Sequence, residues 1–318
     1  MVAMLVRELE RLGHEVVLFA GEGSTSRRCV VCAPAEWFTA ISGHDHVWRE
    51  LSFVFGAYDR IHAEPFDLVH DHTGPIGAAL AATCGLPAVE TAHGIINAPQ
   101  ADYFARIDRR IALVAISRGQ AARASAVRWA GVVPNAIDVD ALGPERARGD
   151  YLVQLARIVP EKGQHHAIAV ARATKRTLVL AGPIDWRSEA KPYFAEHVRP
   201  AIEDGTVVYH PNVAGDEKRR LLAQAHAYLS PVPDEAFGLA MGEALVCGTP
   251  VIAFRSDGAR EIMRDGTPGT MVEDERGMIE AVESVRPLDD EQIAGVRRRF
   301  SPATMAERYA EVYRRALS

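Results

Sequence analysis

Short apolar runs alternate with amphipathic stretches along almost the whole chain. An opening helix is predicted over residues 2–12, where apolar side chains recur at helical spacing until Gly13 ends the pattern. Buried strands are then predicted at residues 15–20, 66–70, 87–91, 112–116 and 132–134. Because short strands that alternate with helices are typical of parallel, doubly wound sheets, the pattern predicts an α/β fold.

A second alternating series follows a polar stretch at residues 135–150, which we interpret as a linker. Its predicted strands lie at residues 151–156, 177–181, 207–210, 227–230, 251–253 and 269–272, with helices at 164–173, 216–224 and 302–317. We therefore expect Rossmann-like domains over residues 1–141 and 149–300, and a terminal helix over 301–318 that packs back toward the first domain. Two such domains would face each other across a cleft, where open α/β sheets bind ligands.

The charge, the apolar runs and the cysteines of the chain argue against several classes of protein. The net charge is −6 and the pI is about 6.1, whereas a nucleic-acid partner would call for a basic excess. No apolar run reaches the roughly 18 residues that span a bilayer, although a peripheral membrane contact stays open. Four cysteines and no recognisable signal peptide predict a reducing cytoplasm. Cys29 and Cys32 lack a second Cys/His pair at zinc-like spacing, so we expect small strand residues there.

The strongest chemical signal is the segment DEAFGLAMGEALVCGTP at residues 234–250. Glu235 and Glu243 stand eight apart, the first in a loop and the second inside the helix that follows. The amides of Phe237, Gly238 and Leu239 would point from the helix N-terminus toward a bound anion. Carboxylates accept hydrogen bonds from sugar or ribose hydroxyls. The spacing therefore predicts a site for a ligand that carries both an anion and hydroxyl groups.

A second signal is ARIVPEKG at residues 156–163. Arg157 follows the first predicted strand of the second domain, and Lys162 lies near the start of the next helix. A guanidinium and an ammonium beside a helix N-terminus suit a pyrophosphate leaving group. Because two fixed positive charges can neutralise that group, no metal or other cofactor is expected.

Together these segments resemble the retaining glycosyltransferases of family 4, which have the GT-B fold. EAFGLAMGE resembles the family's acid pair, and R-x4-K-G resembles its diphosphate clamp. The resemblance implies that Arg157 and Lys162 hold the donor diphosphate, that Glu243 binds the ribose and that Glu235 binds the transferred sugar. The amides of residues 237–239 would then meet the sugar or the distal phosphate, and the stretch that contains Val213 and Lys218 would lie near the nucleobase. Residues 132–138 (VVPNAID) and 257–261 (DGARE) resemble further family segments.

In the first domain, the resemblance implies that His93, which follows a predicted strand, faces the donor sugar. His70-Asp71-His72 ends another strand, but without a third matched ligand we expect a structural or acceptor-side role and no metal.

The family resemblance also implies a reaction mechanism, and the chain departs from the family pattern at one place. The implied reaction is same-face attack, in which the leaving phosphate takes the proton of the acceptor hydroxyl while Glu235 and His93 position the sugar. Family members usually begin with a strand and a glycine-rich loop ahead of the helix that here begins at Met1. We expect this chain to lack both and its acceptor side to be incomplete.

Three alternatives stay open at this stage. One is a catalytically weak or silent nucleotide-sugar-binding protein. Another is a different GT-B enzyme, such as a nucleotide-sugar epimerase or a glycogen-type phosphorylase. The third is a two-lobed solute-binding protein, which the missing export signal and the Arg157/Lys162 pair disfavour. The sequence leaves the base, the sugar, the acceptor (a sugar, a lipid-linked or a small molecule) and the oligomeric state undetermined.

Overall fold

The computed structural model describes residues 1–24, 26–35, 37, 45–145, 148–264 and 266–318. They form two compact units: Met1–Ala136 with Pro302–Ser318, and Ile137–Ser301. Each strand pairing in the described ranges is parallel, which confirms the predicted α/β class.

The first unit is built from alternating strands and helices. Its elements are α1 (Val2–Arg11), β1 (Leu18–Gly21), β2 (Cys29–Ala33), α2 (Asp45–Ile61), β3 (Val69–Asp71), α3 (Pro75–Ala81), β4 (Ala88–Ala92), α4 (Ala98–Ile107), β5 (Ala112–Ala115), α5 (Arg118–Arg123), β6 (Trp129–Val132) and, from the end of the chain, α14 (Pro302–Ala316). Strands β1 and β2 form a two-stranded sheet, and β3, β4, β5 and β6 form a four-stranded sheet in that order.

Two apolar clusters cover the opposite faces of the four-stranded sheet. Leu113 belongs to the cluster built with α2, α3 and α4, whereas its neighbour Val114 belongs to the cluster built with α1 and α14. The alternation follows from the two-residue period of a strand, which sends successive side chains to opposite faces. The terminal helix α14 is amphipathic and places Tyr309 against β4, where its hydroxyl lies 2.9 Å from Thr91 Oγ1.

The second unit repeats the pattern on a larger sheet. Its elements are β7 (Leu152–Leu155), a 3₁₀ turn (Pro160–Lys162), α6 (Gln164–Thr174), β8 (Leu178–Ala181), α7 (Ala190–Tyr193), a π-helical turn (Phe194–Val198), α8 (Arg199–Glu203), β9 (Val207–His210), α9 (Gly215–Ala223), β10 (Ala227–Ser230), α10 (Leu239–Val246), β11 (Val251–Phe254), α11 (Asp257–Ile262), β12 (Thr270–Val272), α12 (Glu275–Ser284) and α13 (Asp290–Arg299).

The six strands of the second unit lie in the order β12-β11-β10-β7-β8-β9. Counted from β7, this order is 3-2-1-4-5-6, the arrangement of a dinucleotide-binding sheet. The direction of strand succession reverses between β7 and β10. The connections that leave these two strands diverge at their carboxyl ends and open a crevice there.

The predicted elements differ from the observed ones mainly in the first unit. The strand predicted at residues 132–134 is wrong in its extent, because β6 occupies Trp129–Val132 and ends two residues before Pro134. Its residues Ala130 and Gly131 have low strand propensity, so pairing with β5 and not composition makes it a strand. Strand β1 likewise starts at Leu18, three residues later than the apolar run suggests.

Candidate active site

The crevice beside β7 and β10 brings two distant segments together. The loop after β7 carries Arg157 and Lys162, and the loop after β10 carries Glu235. The Lys162 ammonium donates a hydrogen bond to Glu235 Oε2 at 2.7 Å, and each side chain keeps 21% of its surface exposed. The two residues are 73 positions apart in sequence, so the reversal of strand order is what makes them neighbours.

Buried amides hold the loop after β7 in place. Gln154 Nε2 donates to the carbonyl oxygen of Lys162 at 2.7 Å, and Gln164 Nε2 donates to that of Arg157 at 2.9 Å. Gly163 adopts a left-handed conformation with φ of 67°, and a Cβ atom there would run into the carbonyl oxygen of Pro231. Glycine therefore allows the Lys162 loop to pack directly against the segment that leads to Glu235.

Arg157 is oriented by a carboxylate that the sequence analysis did not single out. The Asp185 side chain, which is fully buried, forms ion pairs with Arg157 and, at 3.0 Å, with Nε of Arg187. Arg187 also pairs with Glu161, directly before Lys162. Asp185 lies just after β8, next to β7 in the sheet, and only that adjacency could have revealed it.

A second lysine–glutamate pair lies on α9 and α10. Lys218 Nζ donates to Glu243 Oε1 at 2.6 Å, and both side chains are mostly covered. Val213 lies half-buried in the connection between β9 and α9, five residues before Lys218. The two acids of the EAFGLAMGE segment are therefore each engaged by a different lysine, which leaves neither acid without a counter-charge.

The N-terminus of α10 lies between the two acids. Gly238 caps this helix with φ of 89°, a left-handed conformation that favours glycine. The Phe237 side chain is buried and packs edge-on against Phe300, with ring centroids 6.1 Å apart, so its role is to anchor the loop. Leu239 opens the helix and is 41% exposed. The first amides of α10 have no acceptor within the helix and are available to an anion.

The Glu235 backbone is held by α11, and a buried tyrosine ties β10 to the end of β7. The amide of Gly258, at the start of α11, donates to the Glu235 carbonyl oxygen at 2.7 Å. Tyr228, the second residue of β10, donates to the carbonyl oxygen of Leu155 at 3.1 Å. Burial, with the nearby Glu235 charge, raises the pKa of this tyrosine well above its usual range, so its hydroxyl stays protonated and keeps donating.

His93 belongs to the first unit, where it forms part of a histidine cluster. It follows β4, and its Nε2 lies 3.1 Å from Nδ1 of His72. The adjacent His70 shares its ring nitrogens with Tyr313 and Thr91, at 2.7 and 2.8 Å. Burial, followed by the influence of His93, lowers the pKa of His70 to about 3, so this ring is neutral near pH 7.

Two negative findings concern the described ranges. No group of three or more His, Cys, Asp or Glu side chains in them is placed to hold a metal ion. None of the helices in these same ranges combines the length and the apolar surface needed to cross a bilayer.

Fold and geometry together define a protein of two Rossmann-like α/β units, the second with cations and acids gathered at its topological switch point. Residues 1–141 match the family model described as Glycosyltransferase Family 4, and residues 149–286 match the one described as Glycosyl transferases group 1. The chain belongs to the family 4 glycosyltransferases.

Curated relatives agree with this family. A D-inositol 3-phosphate glycosyltransferase from Acidothermus cellulolyticus is 26% identical over 259 residues, which cover 65% of this chain and 56% of the relative. A GDP-mannose-dependent alpha-(1-6)-phosphatidylinositol monomannoside mannosyltransferase from Mycolicibacterium smegmatis is 30% identical over 168 residues, 44% of this chain and 42% of the relative. The matches thus span about half the length of these curated relatives.

Solved structures confirm the predicted GT-B fold. AviGT4, a glycosyltransferase involved in avilamycin A biosynthesis, superposes with a TM-score of 0.75 at 26% identity, covering 99% of this chain and 88% of AviGT4. HepE of Anabaena, solved in complex with UDP-glucose, superposes with a TM-score of 0.70 at 18% identity, covering 97% of this chain and 93% of HepE.

Proposed function

We propose that this protein is a retaining glycosyltransferase that moves a sugar from a nucleotide-diphosphate sugar to an acceptor hydroxyl. The observation that carries the proposal is the Lys162–Glu235 pair at the switch point of the second sheet, with Arg157 on the same loop. Two similar proteins support it, since the mannosyltransferase of Mycolicibacterium smegmatis is GDP-mannose-dependent and HepE was solved with UDP-glucose.

Lys162 and Arg157 each keep N–H donors that their contacts within the protein do not use. An ammonium has three N–H donors, so Lys162 can hold Glu235 with one and a phosphate oxygen with the others. The Arg157 guanidinium has five N–H donors, and its side chain is half exposed while Asp185 fixes its orientation. We assign the donor diphosphate to these two side chains and to the first amides of α10, whose dipole favours negative charge.

With the diphosphate at this position, roles can be assigned to the residues that would bind the sugar, the ribose and the nucleobase. Glu235, beside the proposed diphosphate site, would accept hydrogen bonds from hydroxyls of the transferred sugar, and Glu243 would accept those of the ribose. Val213 and Lys218, in and after the β9–α9 connection, would lie near the nucleobase. We assign His93 to the reacting sugar as well, in a neutral form that can donate or accept a hydrogen bond.

In the proposed reaction, the acceptor oxygen bonds to the anomeric carbon on the face from which the diphosphate departs. The bond between that carbon and the phosphate oxygen breaks, and the acceptor proton passes to the leaving phosphate. Arg157, Lys162 and the α10 amides stabilise the negative charge that develops on the diphosphate. No cofactor or metal enters this step.

The identity of the acceptor (a sugar, a lipid-linked or a small molecule) is left open. We propose that the protein acts in the cytoplasm, and its four free cysteines support this.

Binding of the donor is the first test. Thermal unfolding is measured with UDP-, GDP-, ADP- and dTDP-sugars, and with the matching nucleoside monophosphates as controls. A donor at 100 times its Kd stabilises the protein by about 2.7 kcal/mol, which raises the Tm. We expect at least one nucleotide-diphosphate sugar to raise the Tm well beyond its monophosphate. If every member of the panel leaves the Tm unchanged, the proposed site is wrong.

Turnover is the second test, followed by release of nucleoside diphosphate with the donor that the panel selects. Glu235→Ala and Lys162→Ala should each abolish transfer, because each removes a group that meets the donor near its reacting bond. Glu283→Ala, an exposed change on α12, should leave the rate at the parent value. Near-normal turnover of either site variant would contradict the assignment. An α-linked product from an α-linked donor, read by NMR, would establish retention, and a β-linked product would refute it.

A further inference from the structure

His93 meets the ring of His72 end to end. The Nε2 atom of His93 lies 3.1 Å from Nδ1 of His72, the ring centroids are 5.4 Å apart, and the two ring planes differ by 27°. The N–H groups and lone pairs of an imidazole lie in the plane of its ring, so this geometry is that of a hydrogen bond between two nearly coplanar rings. One of the two facing nitrogens therefore carries a proton and the other does not.

Both rings are neutral near pH 7. Burial lowers the pKa of His72 well below its usual value, and desolvation also lowers the pKa of His93. A neutral imidazole has one N–H donor and one acceptor nitrogen, so the single hydrogen bond fixes the proton on both rings at once. If His93 donates, Nδ1 of each ring is the acceptor nitrogen. If His72 donates, Nε2 of each ring is the acceptor nitrogen.

The contact joins unlike nitrogens, and this selects one of the two arrangements. A histidine ring favours the Nε2–H form, because Nδ1 lies closer to the electron-withdrawing backbone and gives up its proton more readily. When His93 Nε2 donates to His72 Nδ1, both rings take the favoured form, whereas the reverse bond would put both in the disfavoured one. Within the part of the chain that the structure describes, neither ring makes a second hydrogen bond to a protein group that would oppose this choice.

The His72 ring is itself supported by its surroundings. It packs against the ring of His70, with centroids 4.0 Å apart. His70 is fixed in turn by Tyr313 and Thr91, whose hydroxyl oxygens lie 2.7 and 2.8 Å from its two ring nitrogens. A hydrogen-bonded neighbour at this distance limits rotation of the His72 ring, so its Nδ1 stays within reach of His93.

We propose that His72 is a positioning residue that holds His93 in the Nε2–H form, so that His93 Nδ1 accepts a hydrogen bond from a hydroxyl of the transferred sugar. This inference rests on the proposed function, which assigns His93 to that sugar. A sugar hydroxyl can donate to the bare Nδ1, whereas a fluorine or an ether oxygen at the same place would face its lone pair. The site therefore selects a donor sugar with a free hydroxyl at the position that meets His93.

The first test is ¹⁵N NMR of the unliganded, histidine-labelled protein near pH 7. A bare ring nitrogen and a protonated one differ widely in ¹⁵N shift, and a scalar coupling across an N–H···N bond identifies its two partners. We expect a proton on His93 Nε2 that is coupled to His72 Nδ1 and protected from exchange with water.

Three variants complete the NMR test. His72→Ala should lose both the coupling and the protection of the His93 proton. His72→Asn should keep the protection, because Oδ1 of asparagine can accept near the place of Nδ1. The exposed His62→Ala should give the parent spectrum for His93. A proton on His72 Nδ1 in the parent, or a His93 spectrum that does not respond to His72→Ala, overturns the proposal.

Turnover separates this inference from the proposed function. With the donor that the thermal panel selects, His72→Ala should lower kcat/KM about 2- to 10-fold, and His72→Asn should recover most of the loss. In a His93→Ala background, His72→Ala should have no further effect, because His72 acts through His93. If the parent transfers sugar and His72→Ala matches it, or if the two losses simply add, the positioning role is wrong and the proposed function stands. If the parent transfers sugar from no donor, the proposed function fails and the assignment of His93 to the sugar fails with it.

Discussion

Gly258 offers a sharp test of how the second unit supports Glu235. It is the second residue of α11, and a Cβ atom at this position would lie 2.8 Å from Glu235 Cγ, 2.9 Å from the Glu235 carbonyl oxygen and 2.9 Å from the Phe237 carbonyl carbon. Two of these three neighbours are backbone atoms, so a side-chain rotation cannot relieve the contact. Gly258→Ala must therefore push the Glu235 loop and α11 apart.

The change in the free energy of unfolding of Gly258→Ala can be estimated from these distances. Ordinary contact begins at 3.4 Å, so the loop must move by about half an ångström from its 2.9 Å position. Overpacking of this kind costs about 1–3 kcal/mol. Replacing glycine by alanine inside a helix stabilises the folded protein by about 0.5–1 kcal/mol. We expect a net loss of up to about 2.5 kcal/mol in the free energy of unfolding. Nucleotide-sugar binding should also weaken, because the moved loop carries Glu235 away from Lys162.

Gly295 is the matched control. It lies inside α13 in the same unit, and a Cβ atom there would meet nothing within 4 Å. Gly295→Ala should therefore show the helix gain without the clash and stabilise the protein by about 0.5–1 kcal/mol. Urea unfolding of both variants gives the comparison from the midpoints at a common m value. Equal stability of the two variants, or a Gly258→Ala protein with unchanged nucleotide-sugar binding, would refute the reasoning.

Two further predictions concern buried charges. The folded-state pKa of His70 is about 3, against about 6.5 for an unfolded histidine, so the unfolded chain binds more protons between these values. Stability should therefore be fully present above pH 6.5 and fall as the pH drops toward 3, and urea midpoints should show a shallower fall in His70→Gln. Asp185→Asn should cost about 1–3 kcal/mol in urea unfolding, because two guanidinium groups lose a buried counter-charge. The Arg157 side chain is half exposed, so solvent screening holds the cost toward the lower figure, and an unchanged midpoint would contradict the proposed role of Asp185.

The sequence predicts the inner strands of the second unit closely because they are buried on both faces. The run at residues 227–230 coincides with the fully buried β10, since a continuous apolar run leaves little freedom in where a strand begins. The run at residues 207–210 coincides with β9, although this strand lies at the edge of the sheet and its Val208 is exposed. The Lys162–Glu235 contact has no local signal. It depends on the strand order, which brings the ends of β7 and β10 together.

The first unit was less predictable. The amphipathic stripe of the last helix is visible in the sequence, but its partners on β4 and α1 are not, because they lie more than 200 residues away. Asp185 cannot be predicted from the sequence, because a single aspartate after a strand forms no spacing pattern and only the sheet places it beside Arg157. The separation of β1 from β3 likewise depends on strand pairing, which periodicity does not encode.

The proposed donor site depends above all on Lys162 and Arg157, which would bind the diphosphate. Its most direct test is the ratio of nucleoside-diphosphate to nucleoside-monophosphate affinity, measured by titration calorimetry with UDP and UMP and with GDP and GMP. Lys162→Met should lower the diphosphate affinity about 10- to 150-fold, as expected for a lost charge-assisted hydrogen bond of about 1.5–3 kcal/mol, with a smaller effect on the monophosphate. The exposed Lys191→Met should behave as the parent. An unchanged ratio in Lys162→Met would contradict the account.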